Sequence, residues 1–157
     1  MKSKYMLGIF LILLMATTAC VYAADAKIDD DYKFTLPDKY TVTDQINDGV
    51  HLQIDDDHVI SVIVHEGKTI TDSMIKSVVK NLESQGYNVT DNHTFQYNGK
   101  DIVEIDYEND HGRFYSYTWQ VDDDDYVVAN YGHNINETAV KWDNSPVKEI
   151  FDTFAKT

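Results

Sequence analysis

The sequence predicts an α+β fold, an antiparallel β-sheet with helices packed on it. Three observations point there. Apolar and polar residues alternate with period two from Tyr87 to His133, while helical spacing is confined to Thr71–Gln85 and the stretch after Ser145. Of the 27 acidic residues 21 are Asp, which favours turns and helix starts, whereas Glu favours helix interiors. The expected order is a strand pair or hairpin, a helix, a four-strand meander and a C-terminal helix.

The chain opens with Lys2 and Lys4, an uncharged run from Met6 to Ala16, then small residues up to Asp25, the first acid. This is the three-part order of a secretory leader. Its apolar heart is short against a hydrocarbon core of about 30 Å, which needs roughly twenty residues. The uncharged run does continue to Ala24, so an uncleaved N-terminal anchor is an alternative. Val21-Tyr22-Ala23 offers a cleavage site after Ala23 that discards Cys20. Thr17-Thr18-Ala19-Cys20 resembles a lipoprotein box, in which Cys20 becomes the lipidated first residue. Residues 1–23 are therefore read as leader, 24–31 as an acidic tether and 32–157 as a single domain. Either way the folded part has no free thiol and no disulfide, so its stability has to come from its core.

Tyr32–Thr35 and Tyr40–Asp44 read as extended pieces, and Asn47-Asp48-Gly49 as a turn. Val50–Ile54 and Val59–Val64 flank Asp55-Asp56-Asp57. A three-residue loop there sets Ile60 opposite Leu52 and Val62 opposite Val50, uniting the apolar sets. Met74, Ile75, Val78, Val79 and Leu82 repeat at helical spacing, with Thr71 as cap and Gly86 as stop.

Tyr87–Tyr97, Ile102–Glu108, Arg113–Val121 and Tyr126–His133 read as the meander. An odd-length loop, Tyr97-Asn98-Gly99, is expected to keep Val103 and Ile105 on the face of Val89 and Phe95. A two-residue Asn-Gly turn would put them on opposite faces. With the odd loop, Tyr107, Tyr115, Tyr117, Trp119 and Tyr131 join Val103 and Ile105 in the core. Thr90, Asn92, Glu104, Asp106, Ser116 and Thr118 then form an open, wet face, the expected contact surface for a partner. Ser145-Pro146 opens the last helix, with Val147, Ile150, Phe151 and Phe154 as its apolar stripe.

The segment Phe34-Thr35-Leu36-Pro37-Asp38-Lys39-Tyr40 resembles the Phe-x-Ile-Pro-x-Gly-Trp start of PsbP/Mog1-like domains, with Lys39-Tyr40 in place of Gly-Trp. The order of elements over Tyr32 to Ala155 is similar to that fold. The resemblance implies helices packed on an antiparallel sheet in a mostly non-catalytic superfamily of accessory proteins, transport cofactors and surface lipoproteins. It carries no catalytic residues over.

Without the leader the chain carries 11 basic and 27 acidic side chains, a net charge of about −16. Nucleic acid is excluded as a partner, because its affinity comes from cationic contacts that release counterions. Arg113 is the only arginine, which weakens any role in bidentate anion recognition. The expected partner is a protein or a cell-envelope or surface-layer component, with membrane contact only through the leader or a lipid. There is no Gly-x-Ser-x-Gly and no retained reactive cysteine, so the expectation is a non-enzymatic module outside the cell. Glu104, Asp106 and Glu108 on an open strand lack the pocket that raises an acid's pKa. A small extracellular hydrolase returns as a reading if a sizeable pocket gathers carboxylates.

The second reading is a Ca²⁺-dependent binding protein. Asp55-Asp56-Asp57 and Asp122-Asp123-Asp124-Asp125 supply oxygens of the kind Ca²⁺ takes six to eight of, and a shared site is expected if both turns lie at one end of the sheet. Solvated turns explain the same runs. The six histidines show no His-x-x-x-His spacing for zinc. Asn88, Asn92 and Asn136 head glycosylation sequons.

Overall fold

The computed structural model describes residues 24–157, so the leader and Cys20 lie outside the described residues. Among the described residues ten strands form two antiparallel sheets. The small one has the order β1 (Asp25–Ile28), β2 (Tyr32–Thr35), β10 (Ala155–Lys156). The large one contains β3 (Thr41–Ile46), β4 (Gly49–Gln53), β5 (Val59–His65), β6 (Asn88–Tyr97), β7 (Lys100–Glu108), β8 (Gly112–Gln120) and β9 (Tyr126–Asn134). Their spatial order is β3-β4-β5-β9-β8-β7-β6. Two helices complete the fold, α1 (Asp72–Ser84) and α2 (Pro146–Thr153).

The α+β expectation is overturned. Strand accounts for 49% of the structure and helix for 18%, a fold closer to all-β than to helices packed on a sheet. Helix α1 forms where its spacing places it, capped by Thr71 accepting from the Met74 N–H, yet none of its residues is buried. The cover comes instead from the second sheet together with α2. Ala26, Ile28, Tyr32 and Phe34 are buried in one core with Val147, Ile150 and Phe151 of α2. The segment expected as a tether is thus partly β1, whose alternation places Ala26 and Ile28 inward.

The register of the large sheet sorts its side chains. Leu52 lies opposite Ile60 and Val50 opposite Val62, as the united apolar sets require. At the β6–β7 turn the odd-loop expectation fails. Tyr97 pairs with Lys100, and only Asn98 and Gly99 intervene, with φ of 48° and 77°. Two successive positive φ values are those of a type I′ turn, which suits Asn-Gly and matches the strand twist.

Directly opposed residues of an antiparallel ladder share a face, so this turn swaps the two sets on β7. Ile102 faces the same side as Phe95 and Trp119, and Glu104 the same side as His93 and Tyr117. Asp91 keeps this register and lies on that side too, opposite Asp106, which pairs with Tyr115 on β8; the bulge at Thr90 shifts only Val89 and Asn88 beyond it. Each of these rows runs on into Val127, Ala129 and Tyr131 of β9 and then the aliphatic residues of β5. One face of the sheet is therefore aliphatic at β4–β5, aromatic at β8 and ionisable at β6–β7.

Candidate functional site

The six residues expected to form one wet contact surface are split. Glu104 and Asp106 sit on the core face, whereas Ser116 and Thr118 lie on the other and are only 6% and 4% exposed. Asn92 is exposed on that second face, and Thr90 occupies the bulge. The physical reason is the short Asn98-Gly99 turn, together with a sheet covered on both sides at β7, where Ile105 is also buried. Tyr115, Tyr117 and Trp119 are buried, as expected.

What replaces that surface is a groove of about 750 Å³ at the ionisable end of the core face. Its floor carries Glu104 and Asp106, and Asp91 and His93 rise from β6. Phe95, Tyr97 and Trp142 form an aromatic wall, and residues 139–143 pass over it. That segment is held by the Tyr115 hydroxyl, which accepts the Val140 N–H at 2.8 Å. Trp142, in a 3₁₀ turn over Trp142–Asn144, meets Phe95, Tyr97 and Tyr117 with ring centroids 5.4, 5.4 and 5.0 Å away. Edge-on and tilted ring pairs of this kind hold an indole at a defined angle.

The electrostatics are one-sided. Asp91, Glu104, Asp106, Glu108 and Asp143 face the groove against Arg113 and Lys141. Arg113 is already engaged, its Nε donating to Glu108 at 3.2 Å and its Nη1 to the Glu137 carbonyl at 3.0 Å. His93 bridges two acids, with Nδ1 3.2 Å from Asp91 and Nε2 3.5 Å from Glu104. Glu104 is 6% exposed, and burial pushes its carboxyl above the usual range. Asp106 is raised to about 7, first by burial and then by the charges of Glu104 and Asp91 beside it. The pair titrates as a unit, and near neutrality it keeps a proton.

Three polar atoms here have no hydrogen-bond partner: Asp106 Oδ1, the Tyr117 hydroxyl and Trp142 Nε1. Tyr117 is 0% exposed. Its hydroxyl neighbours the Glu104 carboxylate and Ser145 without hydrogen-bond geometry to either, and burial keeps it protonated. Leaving such groups unpaired costs on the order of 1–3 kcal/mol each, so their concentration at one place is not explained by packing alone.

No family model matches the chain, and a search of curated proteins finds no match.

The acidic turns are not brought together. β5 and β9 run antiparallel with Val59 beside Gly132 and His65 beside Tyr126. The Asp55–Asp57 loop therefore lies at one end of the sheet and Asp122–Asp125 at the other. Asp55 Oδ1 accepts the N–H groups of Asp57 and His58 at 2.9 Å each, and Asp122 Oδ1 those of Asp124 and Asp125 at 3.0 and 2.9 Å. These aspartates build their own turns. The depression beside Asp122–Asp125 already receives a cation, since Lys156 Nζ lies 3.0 Å from both Asp122 and Asp125. Among the described residues no three His, Cys, Asp or Glu side chains gather in a way that could hold a metal. At opposite ends of the sheet, the two turns cannot share one Ca²⁺.

Asn88, Asn92 and Asn136 are exposed. Sequence reasoning named Glu104 and Asp106 but missed Asp91, His93, Phe95, Tyr97 and Trp142 as their companions. The available signal was the Asn98-Gly99 pair itself, the strongest short hairpin mark in the chain.

Proposed function

We propose that this chain is an exported, non-enzymatic binding module that takes a small ligand in the groove between β6, β7 and residues 139–143. The observation that carries the reading is the coincidence of three features: a concave site, an aromatic wall around Trp142, and buried polar atoms left unpaired beside it. Export is supported by the order of charge, apolar run and small residues in the leader. Among the described residues, no helix is long and apolar enough to cross a membrane.

The pocket with raised carboxylates brings back the small hydrolase as a second reading. The geometry disfavours it. Glu104 and Asp106 stand two residues apart on one strand, about 6.6 Å between Cα atoms at strand rise, and project the same way. A glycosidase needs its acid and its partner on opposite sides of the scissile bond. Here both press on one spot from the floor.

The test is a mixed-ligand NMR screen on the mature chain, with cationic, neutral and anionic small molecules. Shifts confined to β6, β7, β8 and the Trp142 indole are expected. Ligands that move only residues elsewhere would refute the reading. Turnover of chromogenic glycosides or esters that Glu104→Gln abolishes would transfer it to the hydrolase.

A further inference from the structure

Resting on the groove as the binding site, the chemistry of its walls selects a class of ligand. We infer that the groove takes an organic cation, an amine or guanidinium with an apolar body, its charged head between Glu104 and Asp106 and its body against Phe95 and Trp142.

Charge decides the sign. Five carboxyl groups face the groove, and of its two permanent cations Arg113 is already spent on Glu108 and the Glu137 carbonyl. A carboxylate or phosphate ligand would meet repulsion from five carboxyls, with only the Lys141 ammonium left to offset it. A neutral ligand would leave the floor acids with their burial cost uncompensated. A cation relieves both problems, because it replaces the water these carboxyls have lost.

The aromatic wall points the same way. Phe95, Tyr97 and Trp142 present rings within one groove, and a cation is drawn to the negative face of an aromatic ring, most strongly to indole. The fold already uses this contact once nearby: Lys148 Nζ lies 5.0 Å from the centre of the Tyr97 ring. Asp106 Oδ1 is an acceptor without a donor, and an ammonium or guanidinium brings donors only. Trp142 is 9% exposed and its unpartnered indole N–H suits a weak acceptor on the ligand body, which leaves room for an ether or hydroxyl there.

Binding of a cation favours the ionised pair, so the proton that Glu104 and Asp106 keep near neutrality is expelled. Around that proton stand Asp91 and His93 from β6, Glu108 from β7, Arg113, Tyr115 and Tyr117 from β8, and Lys141 and Asp143 from the covering segment. Of the two β6 groups, Asp91 opposes the loss of the proton and His93 assists it. Affinity for a permanently charged head therefore rises with pH through about 7, where Asp106 titrates.

The experiment uses three isosteric probes, benzylamine, benzyl alcohol and benzoate, titrated into the mature chain while the Trp142 indole N–H and the β6–β7 amides are followed by NMR. Benzylamine is expected to move these signals in a saturable way, with about tenfold or greater preference over benzyl alcohol and none for benzoate. Its affinity is expected to rise several-fold from pH 5.5 to 8, and Glu104→Gln with Asp106→Asn to remove both preference and pH dependence while the rest of the spectrum stays native. If benzyl alcohol or benzoate binds the groove as well as benzylamine, the cation inference falls and the groove remains a binding site. If none of the three moves the groove signals, the inference falls as well, and the mixed-ligand screen decides the site separately.

Discussion

Tyr97 stands directly across from Lys100, so that Asn98 and Gly99 alone reverse the chain between β6 and β7. Everything on β7 takes its side from this pairing. A loop one residue longer would put Val103 and Ile105 beneath the aromatic wall and send Glu104 and Asp106 to the other face.

The turn therefore has a measurable cost of alteration. Gly99 adopts a φ of 77°, a region in which a side chain is strained. Gly99→Val is expected to destabilise the fold by about 1–2 kcal/mol in urea unfolding. Gly99→Asn, which tolerates left-handed backbone, should lose about half of that or less.

How much of this was legible in the sequence depends on which residues are asked. The β4–β5 register was, because Val50, Leu52, Ile60 and Val62 can be united in one way only, and both helix starts were, through Thr71 and Ser145. The faces of β7 were not. Alternation divides a strand into two sets, but it names the buried one only when the other is wet. On β7 both sets are covered: Glu104 is buried on one face and Ile105 on the other. The second sheet was also hidden, since β1 has four residues and β10 two, too few to show a period. The fold class was misjudged for that reason. Of the two helices only α2 covers the core, and short strands provide the rest.

The small sheet is joined to the large one by a polar cluster. Asp125 accepts the Tyr32 hydroxyl at 2.5 Å, the Gly67 N–H at 3.1 Å and Lys156 Nζ at 3.0 Å. Burial, then the hydrogen bond to Asp125, pushes the Tyr32 hydroxyl up to about 12. Tyr32→Phe should cost about 1–2 kcal/mol at pH 7, read by urea unfolding. The hydrogen bond from Tyr32, with Lys156 and Gly67, holds Asp125 below the usual carboxylate range. A depressed acid stabilises the fold above its unfolded pKa and loses that contribution as pH falls through the folded value. The melting-temperature deficit of Asp125→Asn should thus be large at pH 7 and shrink towards pH 3.

A second clasp has the opposite sign. His58 reaches Asp55 at 2.9 Å and Glu137 at 3.0 Å, joining the β4–β5 loop to the chain that leads over the groove. The bond to Asp55, and then Glu137, raises the imidazole above its ordinary value. A raised histidine stabilises the fold below its unfolded pKa, near 6.5, and that contribution fades as pH rises through the folded value. His58→Gln should therefore lower the melting temperature more at pH 5.5 than at pH 8.5. An equal deficit at both would show that the pairing contributes nothing by charge.

The central claim is that Glu104 and Asp106 lie together inside the aromatic groove, and the titration of their carboxyl carbons by ¹³C NMR tests it most directly. Asp106 is expected to titrate near 7 with Glu104 raised beside it, and Glu104→Gln should lower Asp106 only in part, because burial, the larger cause, and Asp91 remain. The sign for stability follows: between 3.8 and about 7 the folded chain holds a proton that the unfolded chain has lost, so this pair costs stability as pH rises through that window. Two carboxyls that titrate independently near 4, unaffected by each other's substitution, would contradict the account.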